Sequence, residues 1–309
     1  MTPHRLLAAS AAILLSTCTG VVAQDPGTLN PQPLPPLANP DAPSTPANEL
    51  FGRKTTPADM QPQVIGFYSH GCVAGAEALP VNGPAWQVMR LSRNRNWGHP
   101  ALIRLLETLA VQARAEAGWP GLLVGDLSQP RGGPMLTGHA SHQVGLDADI
   151  WLTPMPKREL TRAEREEMSA TMVVAADKRD VDPAVWTPAH AGLIKLAAKM
   201  PEVQRIFINA AIKKALCREP DSDPSWQRKV RAYWGHNYHF HIRIRCPDDS
   251  PGCTPQLEPR GGDGCGKELD WWFKASVLNP PPAKKPAAKR RSLTMAKLPR
   301  ECRAVLKAP

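Results

Sequence analysis

After its first 23 residues the sequence offers no apolar run approaching the roughly 18 residues that cross a bilayer, which excludes a transmembrane segment in the mature chain. Also missing are a His-Glu-x-x-His helix, a Gly-x-Ser-x-Gly elbow and a phosphate-binding glycine loop between strand and helix, so three common routes to hydrolysis or nucleotide chemistry are closed. Acidic residues are nearly absent from the C-terminal stretch. From Asn279 onward nine Lys and Arg face one acid, so +8 of the formal charge of +10 lies there and the body is nearly neutral. A neutral body with a localised basic tail argues against a duplex-binding surface, and no nucleic-acid partner is expected. The run Lys284 to Arg291, with Pro and Ala between its charges, reads as a solvated segment. Weak attraction to an anionic polymer or membrane surface is the sharper alternative.

What is present begins with an export signal over residues 1–23. Met1 to Arg5 is positively charged, Leu6 to Leu15 is apolar apart from Ser10, and Val21-Val22-Ala23 suits cleavage. Leu15 to Cys18 resembles a lipoprotein box only loosely, because Thr17 precedes the cysteine. Seven cysteines become six when Cys18 leaves with the signal, an even set that fits three disulfides in an oxidising compartment. Spacing suggests one bridge: Cys246 and Cys253 flank Pro-Asp-Asp-Ser-Pro-Gly, a turn-forming stretch.

Ten prolines between Asp25 and Pro62, with few large apolar residues, predict an extended linker over 24–63. A single long domain follows over 64–278, and a basic, proline-rich tail with a terminal cysteine anchor occupies 279–309. Within the domain, His99-Pro100 opens a helix carrying Leu102, Leu105, Leu106, Leu109 and Ala113 at helical spacing, ending near Gly118. Thr187-Pro188 and Asp223-Pro224 open two more. Strands are expected at 122–126, 146–152 and 206–208. The last strand, 239–246, alternates so that His239, His241, Arg243 and Arg245 share one face while Phe240, Ile242 and Ile244 share the other. Strands and helices mixed without a βαβ repeat imply an α+β fold: a small, largely antiparallel sheet core with surrounding helices, stapled by disulfides.

Five of the nine histidines fall in two short clusters, His139 with His142 and His236 with His239 and His241. His142 sits at the end of a loop and Asp149 follows seven residues later on a strand, so ligands of different reach converge. A catalytic zinc takes three protein ligands from His and carboxylate and leaves one position for water; His142, Asp149 and His241 make such a set. Alternate strand positions put the rings of His239 and His241 about 7 Å apart, which leaves His239 for proton handling with His236 assisting. His139 is read either as a group behind the ligands or as part of an additional metal site. Asp147 either orients a ligand or caps a turn. His70, His99 and His190 are expected to be structural, and Trp271, Trp272 and Phe273 either line a substrate groove or pack around the disulfides. An even set of cysteines leaves no free thiol for a cysteine nucleophile.

These stretches carry a resemblance. Gly71 to Ala76, Gln87 to Arg90, Gly98-His99-Pro100, Gly138 to Asp149, Leu193 to Ala198 and Trp226 to Cys246 are similar to the penicillin-insensitive murein endopeptidases, which belong with the lysostaphin, D-Ala-D-Ala metallopeptidase and hedgehog group. The family's His-x6-Asp and His-x-His signatures both occur, in order. The resemblance implies zinc (Zn2+) ligands at His142, Asp149 and His241 and catalytic histidines at His236 and His239. It implies a periplasmic enzyme acting on the bond between D-alanine and meso-diaminopimelate in peptidoglycan cross-link peptides. Cys72–Cys302, Cys217–Cys265 and Cys246–Cys253 are the disulfides it implies. A second ion at His139 is a further implication, with Asp177 and Asp180 as the nearest partners where a family member offers a histidine.

Overall fold

The structure is a computed structural model and describes residues 26–219, 221–259, 261–281 and 292–309. The expected signal at 1–23, Cys18 and the basic run Lys284 to Arg291 lie outside the described residues. In chain order the elements are α1 (Ala47–Phe51), β1 (Gln63–Phe67), β2 (His70–Ala74), β3 (Glu77–Ala78), β4 (Asn82–Gly83), β5 (Trp86–Val88) and β6 (Trp97–Gly98). Next come α2 (Pro100–Glu116), β7 (Leu122–Val124), β8 (Asp147–Trp151), α3 (Arg162–Glu167), α4 (Pro188–Lys199) and β9 (Val203–Ile208). The remainder is α5 (Ala210–Arg218), β10 (Val230–Ala232), β11 (His239–Ile244), α6 (Lys267–Asp270), α7 (Ala275–Leu278) and α8 (Cys302–Lys307).

The helix starts follow from local chemistry. His99 caps α2 by accepting from the Ala101 amide at 3.3 Å, and Pro100 presets φ where its missing N–H costs nothing. Leu102, Leu105, Leu106, Leu109 and Ala113 form its buried stripe. In α4 the His190 ring lies 2.8 Å from the Thr187 hydroxyl and accepts from the Thr187 amide at 3.1 Å, while its other nitrogen donates to the Leu152 carbonyl at 3.2 Å. Both histidines are therefore structural, as expected. Asp223-Pro224 opens a 3-10 segment, Pro224–Lys229, rather than an α-helix. Val230 begins a strand directly afterwards, which leaves no room for a longer helix.

The principal sheet has seven strands in the order β10-β9-β11-β8-β7-β5-β4. Its centre is antiparallel: β11 pairs with β8 on one side and β9 on the other. Parallel pairs β10 with β9 and β5 with β7 flank that centre. The fold is α+β, with a larger sheet than the strand count in the sequence suggested, because two- and three-residue strands leave no periodicity to read. Phe240, Ile242, Ile206 and Ile208 on one face join Leu193 and Ile194 of α4 and Ile212 of α5 in one core. Truncating a buried phenylalanine such as Phe240 costs about 3–5 kcal/mol, so this face holds the strand register and, through it, the opposite face.

The proline-rich lead-in departs from the expected extended linker over part of its length. Ala47, Phe51 and Ala58 are buried with Ile65, Cys72, Cys302, Val305 and Leu306 in a second cluster. A few apolar residues suffice there because the disulfide and α8 supply the rest of the surface. Buried Arg131 binds both ends: it donates to Thr56 O at 3.0 Å, Val305 O at 3.0 Å and Pro309 O at 3.0 Å. The disulfides are Cys72–Cys302, Cys217–Cys265 and Cys246–Cys253.

Candidate metal centre

The polar face of β8 and β11 carries the cluster. His241 stands opposite Asp149, and Arg243 opposite Asp147, in the antiparallel register. His142 approaches from the preceding loop, where its left-handed backbone (φ 65°) turns its amide to donate to Asp147 Oδ2 at 3.0 Å. Such a conformation is costly for a residue with a Cβ and persists where surrounding contacts fix it.

Three hydrogen bonds settle which ring nitrogens carry protons. A carbonyl only accepts, so His142 Nδ1–H donates to Leu127 O at 2.7 Å and leaves the Nε2 lone pair free. His241 Nε2–H donates to Asp147 Oδ1 at 2.8 Å, which turns Nδ1 toward Asp149. His236 Nδ1–H donates to Trp234 O at 2.7 Å.

The lone pairs left over converge. Asp149 Oδ1 lies 3.5 Å from His142 Nε2 and 3.4 Å from His241 Nδ1. These are long for hydrogen bonds, yet two ligands held about 2.0–2.1 Å from one tetrahedral ion stand about 3.3 Å apart. His142 Nε2 and Asp149 Oδ1 are also buried with no hydrogen-bond partner. Orphaned buried atoms at that spacing could hold a metal ion.

His139 is nearer the centre than its ambiguous sequence position suggested. Its Nε2 lies 3.5 Å from Asp149 Oδ2 and 3.1 Å from Asp126 Oδ2, and the ligand atoms of His139, His142 and Asp149 all fall within 4.8 Å of one another. Asp177 and Asp180 are not brought to it. Asp177 caps the Arg179 amide, and Asp180 pairs with Arg218. Asp126 is the partner that sequence reasoning missed; it is the last residue of the strand expected at 122–126 and lies just past β7, which ends at Val124, and nothing in the local pattern marks its side chain. It also accepts from Arg93 at 3.0 Å and Arg95 at 2.9 Å.

Burial alone would push each of the three acids up. Instead, surrounding His142, His239 and His139 hold Asp149 well below the usual carboxylate range. Arg243 and His241 do the same for Asp147, as the His139 hydrogen bond and Arg95 do for Asp126. Burial pushes His239 down to about 3 and His241 down to about 4, so both rings are neutral at pH 7, the form that binds metal or accepts a proton.

His239 Nε2 is 3.7 Å from Asp149 Oδ1, and its Nδ1 is buried without a partner. Its ring stands 4.7 Å from that of His236. A cavity of about 890 Å³, lined by His139, His236 and His241 among others, opens on one side of the cluster. A smaller one of about 170 Å³, lined by His239, Asp149 and Tyr238, opens on the other. Neither is lined by Trp271, Trp272 or Phe273; the two tryptophans pack against Trp234, with ring centroids 6.1 and 4.8 Å away. His70 bonds the Lys297 carbonyl, outside the site.

This α+β domain brings His139, His142 and Asp149 together beside two cavities, a group that could hold a metal ion. The family model of the penicillin-insensitive murein endopeptidases matches residues 64–307. The chain belongs to that peptidase family. A relative from Haemophilus influenzae named penicillin-insensitive murein endopeptidase is 49% identical over 216 residues, 70% of this chain and 75% of that protein. Proteins of the same name from Klebsiella pneumoniae and Yersinia pestis are 43% identical over 252 residues, 82% of this chain and 89% and 88% of theirs.

Proposed function

We propose that this chain is a penicillin-insensitive zinc endopeptidase of the periplasm that hydrolyses the D-alanyl-meso-diaminopimelyl cross-link of peptidoglycan. The observation that carries the reading is the convergence of unpaired, buried lone pairs on His142 and Asp149 with His241 Nδ1. The names of the relatives supply the substrate class, and the amino-terminal signal supplies the compartment. Zinc in such a site lowers the pKa of water toward 7 and polarises the scissile carbonyl.

The protein's own residues do the rest. Asp147 holds His241 in one tautomer and orientation through the 2.8 Å bond, as the Leu127 carbonyl does for His142. Such outer partners make ligands more basic and fix their direction. His239, neutral and without a hydrogen bond of its own, accepts a proton from the attacking water and returns it to the departing amine. His236, its Nδ1 tied to Trp234 O, stands beside His239 with Nε2 free to assist. No serine is involved, so penicillin has nothing to acylate.

Purified protein incubated with cross-linked muropeptide dimers releases monomers on this reading, with penicillin present and not with a chelator. Cleavage that persists after chelation removes the metal mechanism. Free D-alanine from monomers, with dimers left intact, reassigns the chain as a carboxypeptidase.

A further inference from the structure

The larger cavity holds three guanidinium groups, and they are not equivalent. Arg243 is neutralised by Asp147, with Nε 2.7 Å from Oδ1, and also donates to Gln256 Oε1 at 2.9 Å. Arg231 pairs with Glu268 at 2.9 Å. Arg205 donates from Nη2 to the Leu257 carbonyl at 2.9 Å, and its Nε is buried with no partner. Glu258, the carboxylate of the cavity wall that acts on Arg205 electrostatically, is bonded by Arg245 at 3.0 Å.

Position sharpens the contrast. Arg205 stands directly opposite Arg243 across the β9–β11 ladder, and Phe207 directly opposite His241. Like charges facing each other across a strand pair destabilise a sheet, and among the described residues only Arg243 of the two is ion-paired with a carboxylate. Two residues of strand separate the level of Arg205 from that of His241, about 7 Å. That is close to the length of two extended peptide residues, so a group within about two residues of the scissile amide comes within reach of the Arg205 side chain.

We infer that Arg205 is a specificity-determining residue that takes a carboxylate of the substrate, completing a charge pair the protein leaves open. The inference rests on the peptidase reading above and names the chemistry recognised on one side of the cut. A planar guanidinium matches a carboxylate by paired hydrogen bonds, which a lysine does not reproduce. Two substrate groups have this chemistry: the free carboxylate on the diaminopimelate centre beside the cross-link, and the carboxylate that ends the peptide.

The test compares three soluble cross-linked dimers: the parent, one amidated at the diaminopimelate carboxylate, and one amidated at the peptide terminus. Wild type is expected to lose about tenfold or more in kcat/KM, chiefly through KM, on one of the amidated dimers, and that dimer identifies the source. Arg205→Met should lose a similar factor on the parent and nothing further on that dimer, while Arg205→Lys recovers part of the loss. Zinc content and thermal unfolding of each variant confirm an intact fold. Equal turnover of all three dimers by wild type, or discrimination that survives in Arg205→Met, overturns the inference while leaving the peptidase reading in place. If no dimer is cleaved, the peptidase reading fails separately. Calorimetric binding of uncross-linked monomers with free or amidated carboxylates then decides the inference: preference for the free acid that depends on Arg205 supports it, and indifference overturns it.

Discussion

The Asp147 carboxylate bonds His241 Nε2 at 2.8 Å and Arg243 Nε at 2.7 Å through the same oxygen. One buried acid thereby fixes the tautomer of His241 and neutralises Arg243, two residues further along the same strand. Asp147→Asn keeps the shape but removes the charge. It should weaken zinc binding about 10- to 100-fold, measured by competition with a chelator of known affinity, and leave Arg243 as an uncompensated buried cation, lowering the unfolding midpoint.

Replacement of His142, Asp149 or His241 by Ala should abolish stoichiometric zinc and reduce dimer cleavage to background. His239→Ala should retain zinc and lose about 10²- to 10⁴-fold in kcat, the usual worth of a positioned acid-base group. Elemental analysis of each variant beside its turnover number separates the two classes. Loss of zinc and fold together in His239→Ala would instead mark a closed, structural site.

The strand alternation of β11 made much of this legible. His239 and His241 had to share a face with Arg243, and the apolar residues between them had to face the core. Asp149 followed from its seven-residue spacing after His142. Asp126 and the Leu127 carbonyl were not legible, because their roles depend on where the loop after β7 lies against the loop carrying His142, a long-range relation with no local pattern. The packed lead-in was hidden for a similar reason: Phe51 has no core of its own until α8 arrives beside it. The short outer strands were unreadable because alternation needs more than two or three residues to show.

Asp180 offers a pH test away from the centre. Arg218, with forked bonds at 2.7 and 2.9 Å, holds the carboxyl down to about 2, below the unfolded value of about 3.9. A depressed carboxyl stabilises the fold above the unfolded pKa and loses that contribution as pH falls through the folded one. With Asp180 36% exposed, the pair contributes about 0.5 kcal/mol. Asp180→Asn should therefore be slightly less stable than wild type at pH 7, with the gap closing between about pH 4 and pH 2, as read by denaturant melts across that range.

The Cys72–Cys302 bridge closes a span of 230 residues. Replacing both cysteines by Ser should cost about 2–5 kcal/mol and free α8 and the α1 cluster together. Limited proteolysis should then cut first near residues 46–62 and 292–309, while the sheet core resists.

That same bridge sets a problem of order. Of the six bridged cysteines, Cys72 is made first and Cys217 is the next to follow it, with Cys246, Cys253 and Cys265 also arriving before Cys302. Oxidation in order of appearance would join Cys72 to Cys217, whereas the folded arrangement encloses the other two bridges inside the first. The protein therefore reaches its final pairing only if Cys72 stays reduced until late or if an early wrong bond is exchanged by a second thiol. Recovery from the fully reduced chain should accordingly depend more on a reshuffling thiol than on the strength of the oxidant.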